Sequence, residues 1–146
     1  LVRIFKFTTV TQDPIPDRTP ATGRWYTMDS GELYTPELGY GWTTWVSTRF
    51  KKSYPGDFRF ASNAFVANTS FADWMCDLPN GFYDIMLQAS DPTVPGLHRV
   101  EVNGMRALDD VSTAAGAIAT GWSWPVEVTD GKLRVRIGGK HAPRGC

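Results

Sequence analysis

The sequence predicts an all-β fold, an antiparallel β-sandwich with little helix. Three observations carry this. Apolar residues recur with a period of two in several runs. Turn signals built on Pro, Asn, Asp and Gly separate those runs. No stretch holds a convincing helical period, so a sheet-on-sheet core is the expected solution.

The frame is Phe71 to Asn103, read as three antiparallel strands. Ala72, Trp74, Cys76 and Leu78 fall on one face of the first, opposite Asp73 and Asp77. Pro79-Asn80-Gly81 breaks the pattern as a turn, because Asn and Gly accept positive φ and Pro fixes its own. Tyr83, Ile85, Leu87 and Ala89 then alternate with Phe82, Asp84, Met86 and Gln88. In the third run Val100 and Val102 oppose Arg99 and Glu101.

Upstream, Val2 to Phe7 alternates as an opening strand, and Gln12 to Gly23, with three prolines, reads as a surface loop. Arg24 to Met28 is a short strand. In Tyr34 to Phe50, glycines beside Tyr40 and two tryptophans suggest a loop folded tightly under its own rings. Tyr54-Pro55-Gly56-Asp57 is a turn, and Phe58 to Val66 leads irregularly into the frame. Downstream, Met105 to Gly121 lacks a clear period and reads as loop. Trp122, Trp124, Val126 and Val128 share one face of another strand. Thr129-Asp130-Gly131-Lys132 forms a hairpin turn into Leu133, Val135 and Ile137. The inward set is then Trp74, Leu78, Tyr83, Ile85, Leu87, Val100, Val102, Val126, Val128, Leu133 and Val135.

At 146 residues the chain fits a single domain, residues 1–146, with one core. The formal net charge is zero, from 15 basic and 15 acidic residues, so nothing favours nucleic acid or an anionic membrane. No apolar run is long enough to span a bilayer. The chain starts Leu-Val-Arg, so it reads as processed or cut from a longer protein. Cys76 sits on an apolar face as a small core residue; pairing with Cys146 is open in a secreted chain. Asn68-Thr69-Ser70 fits a glycosylation sequon.

Catalytic motifs are missing from the sequence: there is no Gly-x-Ser-x-Gly elbow, no His-Glu-x-x-His and no phosphate-binding loop. Its two histidines are His98 and His141. Glu37, Asp73, Asp77, Asp91, Asp109 and Asp110 could supply a glycosidase pair, but that needs a set separation across a cleft. Solvated strand faces and turns account for them more simply. The expectation is no enzyme.

Six Trp, five Tyr and eight Phe are either large core filler or, in part, solvent-facing rings. A ring facing water, with polar side chains beside it, suits a pyranose: the C–H face packs on the ring and the hydroxyls take hydrogen bonds. Tyr40, Trp42, Trp45 and Arg49 lie in one loop region, with Trp25 and Tyr26 as further candidates. Trp45 is the first choice as platform; Trp42 is equally a buried plug for the Gly-Tyr-Gly turn. Arg49, Lys51 and Lys52 would favour uronic-acid sugars, or they simply solvate a strand edge.

Tyr34-Thr-Pro-Glu-Leu-Gly-Tyr-Gly-Trp42, the Asp77-Leu-Pro-Asn-Gly81 turn and Val126-Glu-Val-Thr-Asp-Gly-Lys-Leu133 occur in that order. Together they resemble the galactose-binding-like, malectin-like β-sandwich (jelly-roll) modules attached to bacterial polysaccharide esterases and lyases. The resemblance spans about Val2 to Gly139. It implies a secreted or cell-surface, noncatalytic carbohydrate-binding module that holds a polysaccharide, pectin-type if uronic, near an appended catalytic domain. It implies no cofactor, although Asp109, Asp110 and Asp130 could hold the structural calcium that such modules often carry. Asp130-Gly131 is more simply a turn. Phe5-Lys6-Phe7 replaces the family's Asp-Phe-Gly, and no closing strand follows Gly138-Gly139. Native residues beyond Cys146, or a partner strand beside Val2 to Phe7, are therefore expected. The rival reading is a structural or adhesion module of a surface or filament, completed by such a strand. A small hydrolase or lyase is the remote third.

Overall fold

The computed structural model describes residues 4–7, 26–29, 31–50, 62–65, 70–91 and 93–138; for the four short strands β1, β2, β4 and β5, and for residues 123 and 124, only the backbone is described. These residues form strands and no helix: β1 Ile4–Phe7, β2 Tyr26–Asp29, β3 Tyr40–Trp42, β4 Ser47–Phe50, β5 Ser62–Phe65, β6 Phe71–Asp77, β7 Gly81–Ala89, β8 Gly96–Val102, β9 Met105–Thr113, β10 Ala119–Val128 and β11 Lys132–Gly138. A five-stranded antiparallel sheet runs β3-β6-β11-β8-β9, and the antiparallel pair β7-β10 belongs to a second sheet packed on it. The arrangement is an open β-sandwich. β4 and β5 pair antiparallel, while β1 and β2 pair in parallel, an exception to the all-antiparallel expectation.

The period-two pattern of β6 becomes its burial pattern: Ala72, Trp74, Cys76 and Leu78 are buried, and Asp73 and Asp77 are not. Leu133 and Val135 of β11 sit opposite Cys76 and Trp74, and Val102 of β8 continues the same layer opposite Val135. Val126 and Val128 of β10 close the core from the other sheet. Each buried Val or Leu contributes roughly 1.5–3 kcal/mol by leaving water. Tyr83, Ile85, Leu87 and Ala89 of β7 pack against this core but are only half-buried.

Three expectations need correction. The turns at Pro79-Asn80-Gly81 and Asp130-Gly131 do not close hairpins. β6 pairs with β3 and β11, whereas β7 pairs with β10, so each turn carries the chain from one sheet to the other. The two crossings lie side by side and bond to each other: Leu78 N–H donates to the Gly131 carbonyl at 2.9 Å, and Gly131 N–H donates to Asn80 Oδ1 at 2.8 Å. A turn signal specifies a reversal, and the strands' partners decide whether it is a hairpin.

The true two-residue hairpin is at Asn103-Gly104, between β8 and β9, with φ of 44° and 80°. Positive φ at both central positions is what a type I′ turn requires. Asn103 also accepts from Arg134 N–H at 2.8 Å and donates to the Glu127 carbonyl at 2.9 Å, tying this hairpin to both sheets. Accordingly Met105 to Thr113, expected as loop, is strand β9. Only Leu108 and Ala107 of it turn toward the core, which is why no alternation showed.

The third correction concerns β10. Its register against β7 shifts between Ser123 and Val126, so the inward phase before the shift is opposite to the phase after it. Trp122 therefore lies on the outer face, although Val126 and Val128 lie inside.

Candidate functional site

Residues 32–34 run along the edge of β3: Trp42 N–H donates to the Glu32 carbonyl at 2.8 Å, and Tyr34 N–H to the Trp42 carbonyl at 2.9 Å. Tyr40 and Trp42 are two apart on β3 and share its inward face, opposite Cys76 and Trp74. Trp42 is 1% exposed and belongs to the core, and Tyr40 packs half-buried against it. Trp45, beyond the strand, is 80% exposed beside exposed Thr43 and Thr44. Tyr26 opens β2, and Arg49 lies in β4 opposite Asn63, with their backbones alone described. Trp25, Lys51, Lys52, the Asn68 sequon and residues 140–146 lie outside the described residues. Of the six expected contacts, Trp45 is thus the one whose described side chain faces water.

A second aromatic surface was not singled out from the sequence. On the outer face of β7-β10, Phe82 is 70%, Met86 53% and Trp122 55% exposed. Met86 and Trp122 are cross-strand partners, so they form one contiguous apolar step. Phe82 lies four residues back along β7, about 13 Å away. Exposed polar residues surround these rings: Asp84 and Gln88 on β7, and Thr120 and Glu127 on β10. Gln88 faces Thr120, and Glu127 faces Phe82. Pro125, which lacks an N–H, lies within the register shift beside this surface. Phe82 and Met86 could have been found by asking why large apolar side chains occupy the outward phase of β7. Trp122 could not, because the shift that turns it outward leaves no clear mark.

On and beside the five-stranded sheet the arrangement is different: five carboxylates there are matched by bases. Asp73 takes a two-pronged pair from Arg136 at 2.7 and 2.8 Å, and Asp77 takes Lys132 Nζ at 2.7 Å and the Tyr34 hydroxyl at 3.1 Å. Asp109 pairs with Arg106, Asp110 with Arg99, and Asp130 with Arg134. Hydrogen bonds from Arg134 hold the Asp130 carboxyl below its usual range, and hydrogen bonding to Asp77 raises the Lys132 ammonium. These are surface pairs, screened by solvent, and contribute little to stability. They also occupy the carboxylates considered for calcium. Among the described residues no group of His, Cys, Asp and Glu could hold a metal ion.

Asp91 is buried, and its Oδ1 accepts from Thr93 N–H at 2.8 Å, Thr93 Oγ1 at 2.7 Å and Val94 N–H at 3.1 Å, capping its own loop. His98 Nε2 lies 2.7 Å from Thr113 Oγ1. Burial pushes the His98 pKa down, partly offset by the Asp91 charge. The Asp91 contacts order the loop after β7, and the His98–Thr113 contact ties β8 to β9.

Compared with protein-family models, with curated proteins and with solved structures, the chain finds no match.

Proposed function

We propose that the chain is a noncatalytic carbohydrate-binding module, part of a secreted or cell-surface protein, which holds a polysaccharide for an appended catalytic domain. The observation that carries this reading is the outer face of β7-β10. Contiguous Met86 and Trp122, with Phe82 further along β7, supply flat apolar surface on a rigid sheet. Asp84, Gln88, Thr120 and Glu127 supply hydrogen-bond partners between them. Linked pyranose rings present C–H faces and hydroxyls in similar alternation. Trp45, exposed just beyond β3, is a second platform of the same chemistry. Without chemistry of its own, such a module acts by raising the local concentration of substrate around its partner.

Affinity electrophoresis through gels containing polysaccharides tests this. Trp122→Ala should lose retention while unfolding at the same denaturant concentration as the parent, since the indole is more than half exposed. Retention undiminished in folded Trp122→Ala and Trp45→Ala variants would remove both platforms.

A second reading, a structural module completed by a partner strand, is favoured by β7. Among the described residues β7 pairs only with β10, and its inward side chains are half-buried where those of β6 are buried. A strand laid beside it would cover Tyr83, Ile85 and Leu87. Sedimentation equilibrium decides: concentration-dependent self-association abolished by Ile85→Lys supports this reading, and a monomer at all concentrations argues against it.

A further inference from the structure

We infer that the outer face of β7-β10 is selective for cationic, amino-sugar polysaccharide over neutral or uronic-acid polymers; this rests on the carbohydrate-binding reading above. Five carboxylates away from this face, Asp73, Asp77, Asp109, Asp110 and Asp130, each have an Arg or Lys partner. On this face, no described Lys or Arg pairs with Asp84 or Glu127, and both are exposed.

Their placement is specific. Glu127 lies directly across from Phe82, and Asp84 is two residues along the same outward row, about 7 Å away. The 70% exposed Phe82 ring is therefore flanked by carboxylates across the strand and along it. An aromatic face attracts a cation through its quadrupole, and adjacent carboxylates add direct charge and hydrogen-bond acceptors. A protonated sugar amine seated over Phe82 meets all three groups, while the sugar chain continues toward Met86 and Trp122. A uronate carboxylate in the same position meets two like charges and no described base. An N-acetylated sugar keeps the stacking but gains nothing from the charges.

The test uses the full chain and three probes: a fully deacetylated glucosamine polymer, its N-acetylated parent, and polygalacturonate. Binding is measured by isothermal calorimetry or gel retention near pH 5, where the amines are protonated. The expected result is at least roughly tenfold tighter binding of the deacetylated polymer, shrinking toward parity in about 1 M salt. Because the formal net charge of the chain is zero at pH 7 and acidification only makes it more positive, general attraction to a polycation does not account for such a preference. An Asp84→Asn, Glu127→Gln double variant keeps the shape and should bring the deacetylated and N-acetylated polymers to the same affinity, whatever each loses in hydrogen bonding. Trp122→Ala should weaken both. Equal binding of the two polymers, preference for polygalacturonate, or a preference that survives the double variant overturns the amine selectivity and leaves carbohydrate binding standing. Failure to bind any of the three, or any other polysaccharide, removes both readings.

Discussion

Trp42→Ala should cost about 3–5 kcal/mol of folding stability, the range for deleting a large buried aromatic side chain. Trp42 is 1% exposed and faces Trp74, itself 3% exposed, across the β3-β6 ladder. Because β3 has only three residues, little other packing holds it to the sheet. The cavity would open where β3, β6 and residues 32–34 meet. Urea unfolding followed by fluorescence or circular dichroism reads the change as a shifted midpoint at constant slope. Trp45→Ala is the internal control: two tryptophans three positions apart, one buried and one 80% exposed, should differ by several kcal/mol. Equal effects would mean that β3 does not lie as described.

Gly41→Ala should be comparably damaging for a different reason. Gly41 has φ of 140°, outside the range that side chains tolerate. A methyl group there would meet the Tyr34 nitrogen at 2.6 Å, the Leu33 carbonyl carbon at 2.7 Å and the Glu32 oxygen at 2.8 Å. All three are backbone atoms of the segment bonded along β3, so no rotamer change relieves the clash. Backbone strain of roughly 1–3 kcal/mol adds to an overpacking cost of similar size. Gly39→Ala separates the two contributions. Its φ is 71°, but a methyl group would meet only the Asp77 side chain, with Oδ2 at an ordinary 3.5 Å. It should cost about 1 kcal/mol, and Gly41→Ala clearly more, in the same urea experiment. Similar losses at the two glycines would contradict the packing of residues 32–34 against β3.

The core was legible because its strands keep one phase over long runs. Ala72, Trp74, Cys76 and Leu78 announce their shared face in the sequence, and each is buried. Pairing was less legible. Asn80-Gly81 and Asp130-Gly131 carry hairpin chemistry, yet both are crossings between sheets, since local turn preference says nothing about which strands become neighbours. Asn103-Gly104 carried the same signal and is a hairpin in fact. Strand β9 hid because most of its side chains face solvent on both sides. For the aromatic candidates, the glycines around Tyr40 signalled close packing, and close packing is what takes Trp42 into the core. Trp122 was hidden by a single extra residue in β10 that reverses its face.

The most direct test of the central claim is a residue-resolved one: NMR titration of the labelled chain with soluble oligosaccharide fragments of a retained polysaccharide. The claim predicts shifts concentrated at the Trp122 indole N–H and the amides of Phe82, Asp84, Met86 and Glu127, with β6, β8 and β11 unchanged. Saturable shifts confined to the charged outer face of the five-stranded sheet, with Trp122 and Phe82 unmoved, would contradict it.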